Sequence, residues 1–253
     1  MMKLTFLGTG TSIGVPEMLC GCPVCMSRDA KDKRLRSSLL IATEESNLLI
    51  DCGPDFREQV LRYDVRRIDG VLVTHEHYDH VGGIDDLRPF CADSDVPVYA
   101  ERMVIEHLME RIPYCFGNNK YPGTPSLKLM EISPDTSFSA GNIDVMPIRV
   151  MHGKLPILGF RIGRMAYITD MKSIPEDEIR HLNDVDVLIV NALHTKEHPT
   201  HQNVMQAVGF AERIGAERTF FIHMSHRVGL HAVVDEKLPQ SMHFAYDGLQ
   251  LIV

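Results

Sequence analysis

Short apolar runs rich in Val, Ile and Leu recur along this chain, and many of them stop at a residue able to bind a metal ion. Residues 3–7, 39–42, 47–50, 70–74, 97–100, 127–132, 143–150, 157–162, 165–169, 185–190 and 218–222 read as strands. The polar turn 43–46 predicts a hairpin between 39–42 and 47–50, and Gly163-Arg164 predicts another between 157–162 and 165–169. Helical spacing marks 56–63 and 101–110, and Thr200 is the expected N-cap of an amphipathic helix reaching about residue 214. A further helix is expected to begin after Gly82-Gly83, and residues 112–125 read as a long irregular loop. Strands alternating with helices, together with the hairpins, predict an α/β (α+β) fold with a mixed sheet. No repeat or linker interrupts 1–253, which reads as a single domain.

The densest chemistry lies where the run 70–74 ends, at His75-Glu76-His77-Tyr78-Asp79-His80. Three imidazoles and a carboxylate so close together have few structural uses other than metal binding. The H-x-H-x-D-H spacing can serve two ions, His75 and His77 on one, Asp79 and His80 on the next. Neutral imidazole and carboxylate suit Zn, Mn or Fe. One loop cannot complete either coordination sphere, so further ligands must come from elsewhere. His152, Asp170 and His223 each stand where a later apolar run stops. Asp51, after residues 47–50, either orients a metal-binding histidine or serves a turn.

Cys20-Gly21-Cys22-Pro23-Val24-Cys25 places three thiols on a tight turn, and one more histidine would complete a Cys₃His zinc site. The glycine-rich turn at residues 8–14 does not match a dinucleotide fingerprint, although its small residues leave room for substrate. The charged stretch 28–36 reads as a solvated connector.

A composition that is 44% hydrophobic supports a sizeable core. Twenty-six basic against thirty-four acidic residues, a formal charge of -8, disfavour long nucleic acid as a partner. No run is long enough to span a membrane, and the first apolar stretch breaks at Gly8 before a secretory core forms, so a cytoplasmic location is expected. Six cysteines in a chain of this length do not form a disulfide framework.

With H-x-H-x-D-H followed in order by His152, Asp170 and His223, the chain resembles the metallo-β-lactamase-fold hydrolases. The resemblance implies a four-layer αββα sandwich around a dinuclear centre of Zn or Mn. It implies that His75, His77 and His152 hold one ion, Asp79, His80 and His223 the other, and that Asp170 bridges them. The cysteines, with His226 in His223-Met224-Ser225-His226 and the ending Tyr246-Asp247-Gly248-Leu249, resemble the PhnP-type phosphodiesterases, which hydrolyse phosphoribosyl 1,2-cyclic phosphate. That resemblance implies a structural zinc on Cys20, Cys22, Cys25 and His226, a small anionic phosphodiester as substrate, and a homodimer. It also implies catalytic roles for His201 and Asp79. Residues 193–199 depart from the PhnP pattern and hold two further candidates, His194 and His198. A tRNA 3′-processing nuclease, a thioester or lactam hydrolase, and a non-catalytic metal-binding protein are the alternatives.

Overall fold

The computed structural model describes residues 1–92, 94–116 and 123–253. Six strands build most of the first sheet: β1 (Lys3–Gly8), β2 (Ser38–Ala42), β3 (Asn47–Ile50), β4 (Gly70–Leu72), β5 (Val96–Ala100) and β6 (Leu127–Glu131). Seven build the second: β7 (Phe138–Ala140), β8 (Ile143–His152), β9 (Leu155–Ile162), β10 (Met165–Ile168), β11 (Val187–Asn191), β12 (Arg218–Ile222) and β13 (Met242–Phe244). The last strand, β14 (Gln250–Ile252), returns to the first sheet and pairs antiparallel with β1. The first sheet runs β14-β1-β2-β3-β4-β5-β6 and the second β13-β12-β11-β10-β9-β8-β7. Hairpins give each sheet an antiparallel half, whereas β3 to β6 and β10 to β13 pair in parallel.

Continuous apolar runs are what strands covered on both faces require, and successive residues here go to different cores. Leu48 and Ile50 pack between the sheets with Phe6, Phe160 and Ile189, whereas Leu49 points outward under α1 (Phe56–Tyr63). Leu188 and Val190 likewise point outward, beneath α4 (Val204–Ile214). The order is helix, sheet, sheet, helix, the expected four layers. The parallel strands carry the site at their carboxyl ends, where crossover connections leave room for a ligand.

Several expectations change. Strand β8 continues through His152, because a tight turn at Gly153 (φ 62°) leads directly into its partner β9. After Gly82-Gly83 the chain forms a 3₁₀ segment, Ile84–Cys91, which contains Pro89; the only α-helical turn here is α2 (Tyr78–Val81), inside the histidine motif itself. Helix α3 (Arg102–Arg111) follows β5 as expected. The amphipathic helix starts at Val204 rather than near Thr200. Asn203 is its N-cap, with Gln206 returning the bond in a capping box, so residues 200–202 are free to form a loop. The stretch 28–36 is not simply solvated: Arg34 is 8% exposed and donates to Thr9 Oγ1 and to the carbonyl of Ala245. In the expected loop 112–125, Pro113–Cys115 forms a 3₁₀ turn and 117–122 lie outside the described residues. Strands β7, β13 and β14 were not predicted, being three residues each and weakly apolar. Among the described residues no helix is long and apolar enough to cross a membrane.

Candidate metal centre

The histidine motif is set in place by two backbones that pack without side chains between them. The amide of Cys52 donates to the carbonyl of His80, and that of Gly83 to the carbonyl of Cys52. A Cβ on Gly53 would lie 2.1 Å from the carbonyl oxygen of Asp79, so only glycine permits this approach. His77 precedes α2, and the helical turn then presents Asp79 and His80, both buried. Asp170 and His223 come from across the interface, each at the end of a parallel strand. Their backbones, like that of Asp51, lie in the left-handed region, with φ of 58°, 56° and 61°.

Asp170 stands between two groups of ligands. Its Oδ2 lies 3.7 Å from His75 Nε2, and its Oδ1 lies 3.4 Å from His80 Nε2 and 3.2 Å from His223 Nε2. His75 Nε2 and His77 Nδ1 are 3.0 Å apart on the first side. Asp79 Oδ2 approaches His80 Nε2 at 3.1 Å and His223 Nε2 at 3.4 Å on the second. The His152 ring lies 5.8 Å from that of His75 and 5.2 Å from that of His77, centroid to centroid. Its Nδ1 is 2.7 Å from the Asp170 carbonyl, an N–H donor position that leaves Nε2 to bind. All seven expected ligands therefore converge.

The surroundings orient these rings. Asp51 Oδ2 accepts from His80 Nδ1 at 2.7 Å, while the Thr74 amide and hydroxyl donate to the same carboxylate. Asp51 thus occupies the orienting position weighed for it from sequence. Burial alone would raise Asp79 and Asp170, but His80 beside Asp79, and His223 and His80 beside Asp170, hold both well below the usual carboxylate range. Burial lowers His75 and His77 and keeps them neutral, the form that binds metal. His80 Nε2 is buried without a hydrogen-bond partner, beside two carboxylates. An unpaired nitrogen facing anionic oxygens needs a cation, and this donor set fits Zn or Mn.

His201, in the loop left by the late start of α4, stacks on His223 at 5.0 Å and meets His152 at 4.6 Å. One of its ring nitrogens is close enough to join a ligand group with His152 and Asp170. Burial pushes its imidazole down to about 3, with His223, His152 and His198 adding to the shift, so the ring does not titrate near neutrality as an acid of ordinary pKa would. His198 lies 5.1 Å from it and His194 5.7 Å beyond. These rings line a cleft of about 250 Å³ together with residues that include Ser12 and Arg227. Sequence reading missed Arg227, although it directly follows His226.

At the second centre, the sulfurs of Cys20, Cys22 and Cys25 and a ring nitrogen of His226 lie within 4.8 Å of one another. Cys25 Sγ is 3.5 Å from His226 Nδ1 and accepts the Glu17 amide at 3.4 Å, and the Cys25 amide donates to Cys22 Sγ. Burial pushes Cys25 up to about 11, whereas the amide of Cys25 pulls Cys22 down. A closed set of three thiols and one imidazole fits a structural zinc. Glu17 Oε2, 3.0 Å from the same His226 nitrogen, lies beside it. The glycine-rich turn links the two centres: the Thr11 amide donates to Met224 and the Met224 amide to Thr9.

Residues 46–224 match the family model of the beta-lactamase superfamily domain. A protein of Porphyromonas gingivalis named octanoyltransferase is 49% identical over 254 residues, covering all of this chain; the chain spans 52% of that relative's length. Among solved structures, a new diphosphatase from the PhnP family is 36% identical and superposes with a TM-score of 0.92, over 99% of this chain and 96% of its own. Zn(2+)-bound PqqB from Methylobacterium extorquens, at 20% identity and a TM-score of 0.81, covers 99% of this chain and 100% of its own, and shares the fold.

Proposed function

The chain belongs to the beta-lactamase superfamily and, within it, to the PhnP family, and on that footing we propose that it is a dinuclear metal-dependent phosphodiesterase acting on a small cyclic phosphodiester such as phosphoribosyl 1,2-cyclic phosphate. The observation that carries this reading is Asp170, whose two oxygens face two different groups of imidazoles. His75, His77 and His152 would hold one ion, Asp79, His80 and His223 the other, with Asp170 shared. Two such ions supply electrophilic polarisation of a phosphoryl oxygen and a water of lowered proton affinity.

The chain's own residues do the rest. Asp51 fixes the His80 ring, so the ligand nitrogen is aimed before substrate arrives. His201 stands beside the cluster, within reach of His152 and Asp170 but outside the seven assigned ligands, and as a neutral imidazole it has one N–H with which to hydrogen-bond a phosphoryl or departing oxygen. The cleft beyond His201 takes the remainder of the ester. The name octanoyltransferase belongs to a protein about half of which this chain matches, so an octanoyl thioester is one arm of the test and not a premise. Protein reconstituted with Zn or Mn is assayed against bis-p-nitrophenyl phosphate, p-nitrophenyl phosphate, cyclic nucleotides, ribose cyclic phosphates, the thioester and a pre-tRNA. Turnover of the cyclic diesters well above the others is expected. Preferred cleavage of the thioester or the pre-tRNA overturns the reading.

A further inference from the structure

We propose that Asp135, Glu178 and His181 hold a further divalent metal ion, in a site separate from both centres described above and independent of the reaction. One ligand atom from each of these side chains lies within 4.8 Å of the other two. The residues come from two segments. Asp135 stands in the turn between β6 and β7, where its backbone is left-handed (φ 60°). Glu178 and His181 belong to the 3₁₀ segment Glu176–Leu182, and residues three apart share one face of such a helix.

Two of these side chains lack what they need from the protein itself. Glu178 is 4% exposed, yet among the described residues its carboxylate has one hydrogen bond, from the Arg149 amide to Oε2 at 2.9 Å, and no ion pair. The Arg149 guanidinium is taken by Glu101. A buried carboxylate needs a positive charge beside it. His181 Nε2 lies 2.8 Å from Asp135 Oδ1 and 3.2 Å from Arg180 Nε. An imidazole nitrogen carries either a proton or a lone pair, so it can serve the carboxylate or the guanidinium but not both. A divalent ion answers both needs. Nε2 and the two carboxylates bind it through lone pairs, and Arg180, whose side chain is 60% exposed, turns out to water. One imidazole and two carboxylates suit Zn or Mn and leave a position for solvent. Because Arg180 competes for Asp135 and His181, the ion is held weakly and leaves on desalting. Through Glu178 and the Arg149 amide it fastens the turn to β8, the strand that ends at His152.

The test titrates zinc chloride into reconstituted, desalted protein, following binding by calorimetry and the melting temperature in parallel. Wild type is expected to take up one more ion per chain, more weakly than those it already carries. Its melting temperature should rise by about 5 °C when free zinc is about a hundred times the dissociation constant. His181→Ala should lose both effects and keep its other ions and its activity; Asp135→Asn, at a half-exposed position, makes the same comparison if that variant does not fold. Arg180→Ala should bind the added zinc about tenfold more tightly, because the competing cation is gone. A cluster held together only by its ion pairs would instead be loosened by that substitution and gain no affinity. No additional ion in wild type overturns the site. So does zinc uptake that survives His181→Ala and Asp135→Asn, which places the ion elsewhere, or uptake that Arg180→Ala leaves no tighter.

Discussion

At the scale of single residues, three side chains owe their direction to an unusual backbone. Asp51, Asp170 and His223 each leave a strand through the left-handed region, which for a residue with a Cβ costs about 1 kcal/mol or more. The turn ends strand pairing at once and swings the side chain across the strand end into the cluster. Asp170→Asn keeps the shape and tolerates the same backbone, but removes the charge that both ligand groups face. Its activity is expected to fall by orders of magnitude with loss of exchangeable metal; near wild-type turnover at full metal content would refute the bridge. His201→Ala should keep its metals and lose about 10² to 10³ in rate, the scale of one hydrogen-bond donor to developing charge. A loss that is small for p-nitrophenyl esters and large for a ribose leaving group assigns the residue to the departing oxygen; equal losses assign it to the phosphoryl oxygens. Loss of a metal would make it a ligand.

At the scale of elements, the start of α4 decides where His201 can stand. Were Thr200 the cap, residues 201–203 would be helical; with Asn203 as cap, the loop before it instead crosses the cluster and its Thr200 carbonyl reaches His152 Nδ1. Asn203→Ala is expected to lower stability by about 1 kcal/mol, measured by urea unfolding, because the Gln206 amide loses its acceptor. Thr200→Ala should cost the helix less, since that hydroxyl meets His198 and caps nothing. Equal losses from the two variants would put the cap back at Thr200. The cysteine turn is an element of another kind, with a core of only Val15, Val24 and Cys25. So little apolar burial cannot order it unaided, and thiolate-bound zinc supplies folding free energy. Cys22→Ser should therefore lower the melting temperature more than it lowers the activity of the protein that remains folded. A variant that melts like wild type and keeps all its zinc would remove this assignment.

At the scale of the whole molecule, the two centres lie on one continuous hydrogen-bonded path. His223 and His226 are three residues apart, and the turn at residues 8–14 pairs with Met224 between them. Asp247 closes the far side, accepting the Thr9 hydroxyl and the Leu35 amide at 2.7 Å each. About three ions per chain are expected after reconstitution, of which a chelator removes two, with activity, and leaves the thiolate-held one. Elemental analysis before and after chelation checks this, and at most one ion per chain with excess Zn or Mn would sink it.

The apolar runs, their hairpins and the residues at their ends were legible because strand periodicity and metal-ligand spacing are local properties of sequence. The convergence of His75 with Asp170, 95 positions apart in sequence, came within reach only through a family resemblance, since local pattern says which residues can bind metal but not which strands become neighbours. What the tertiary structure alone decided was finer. It buried Arg34 within a stretch whose composition looks solvated, because Thr9 and the Ala245 carbonyl, remote in sequence, accept its bonds. It moved the cap of α4 from Thr200 to Asn203, because two plausible caps compete and packing chooses between them. It brought Arg227, His194 and His198 from separate loops to the lining of one cleft, a relation that no periodicity in the chain encodes.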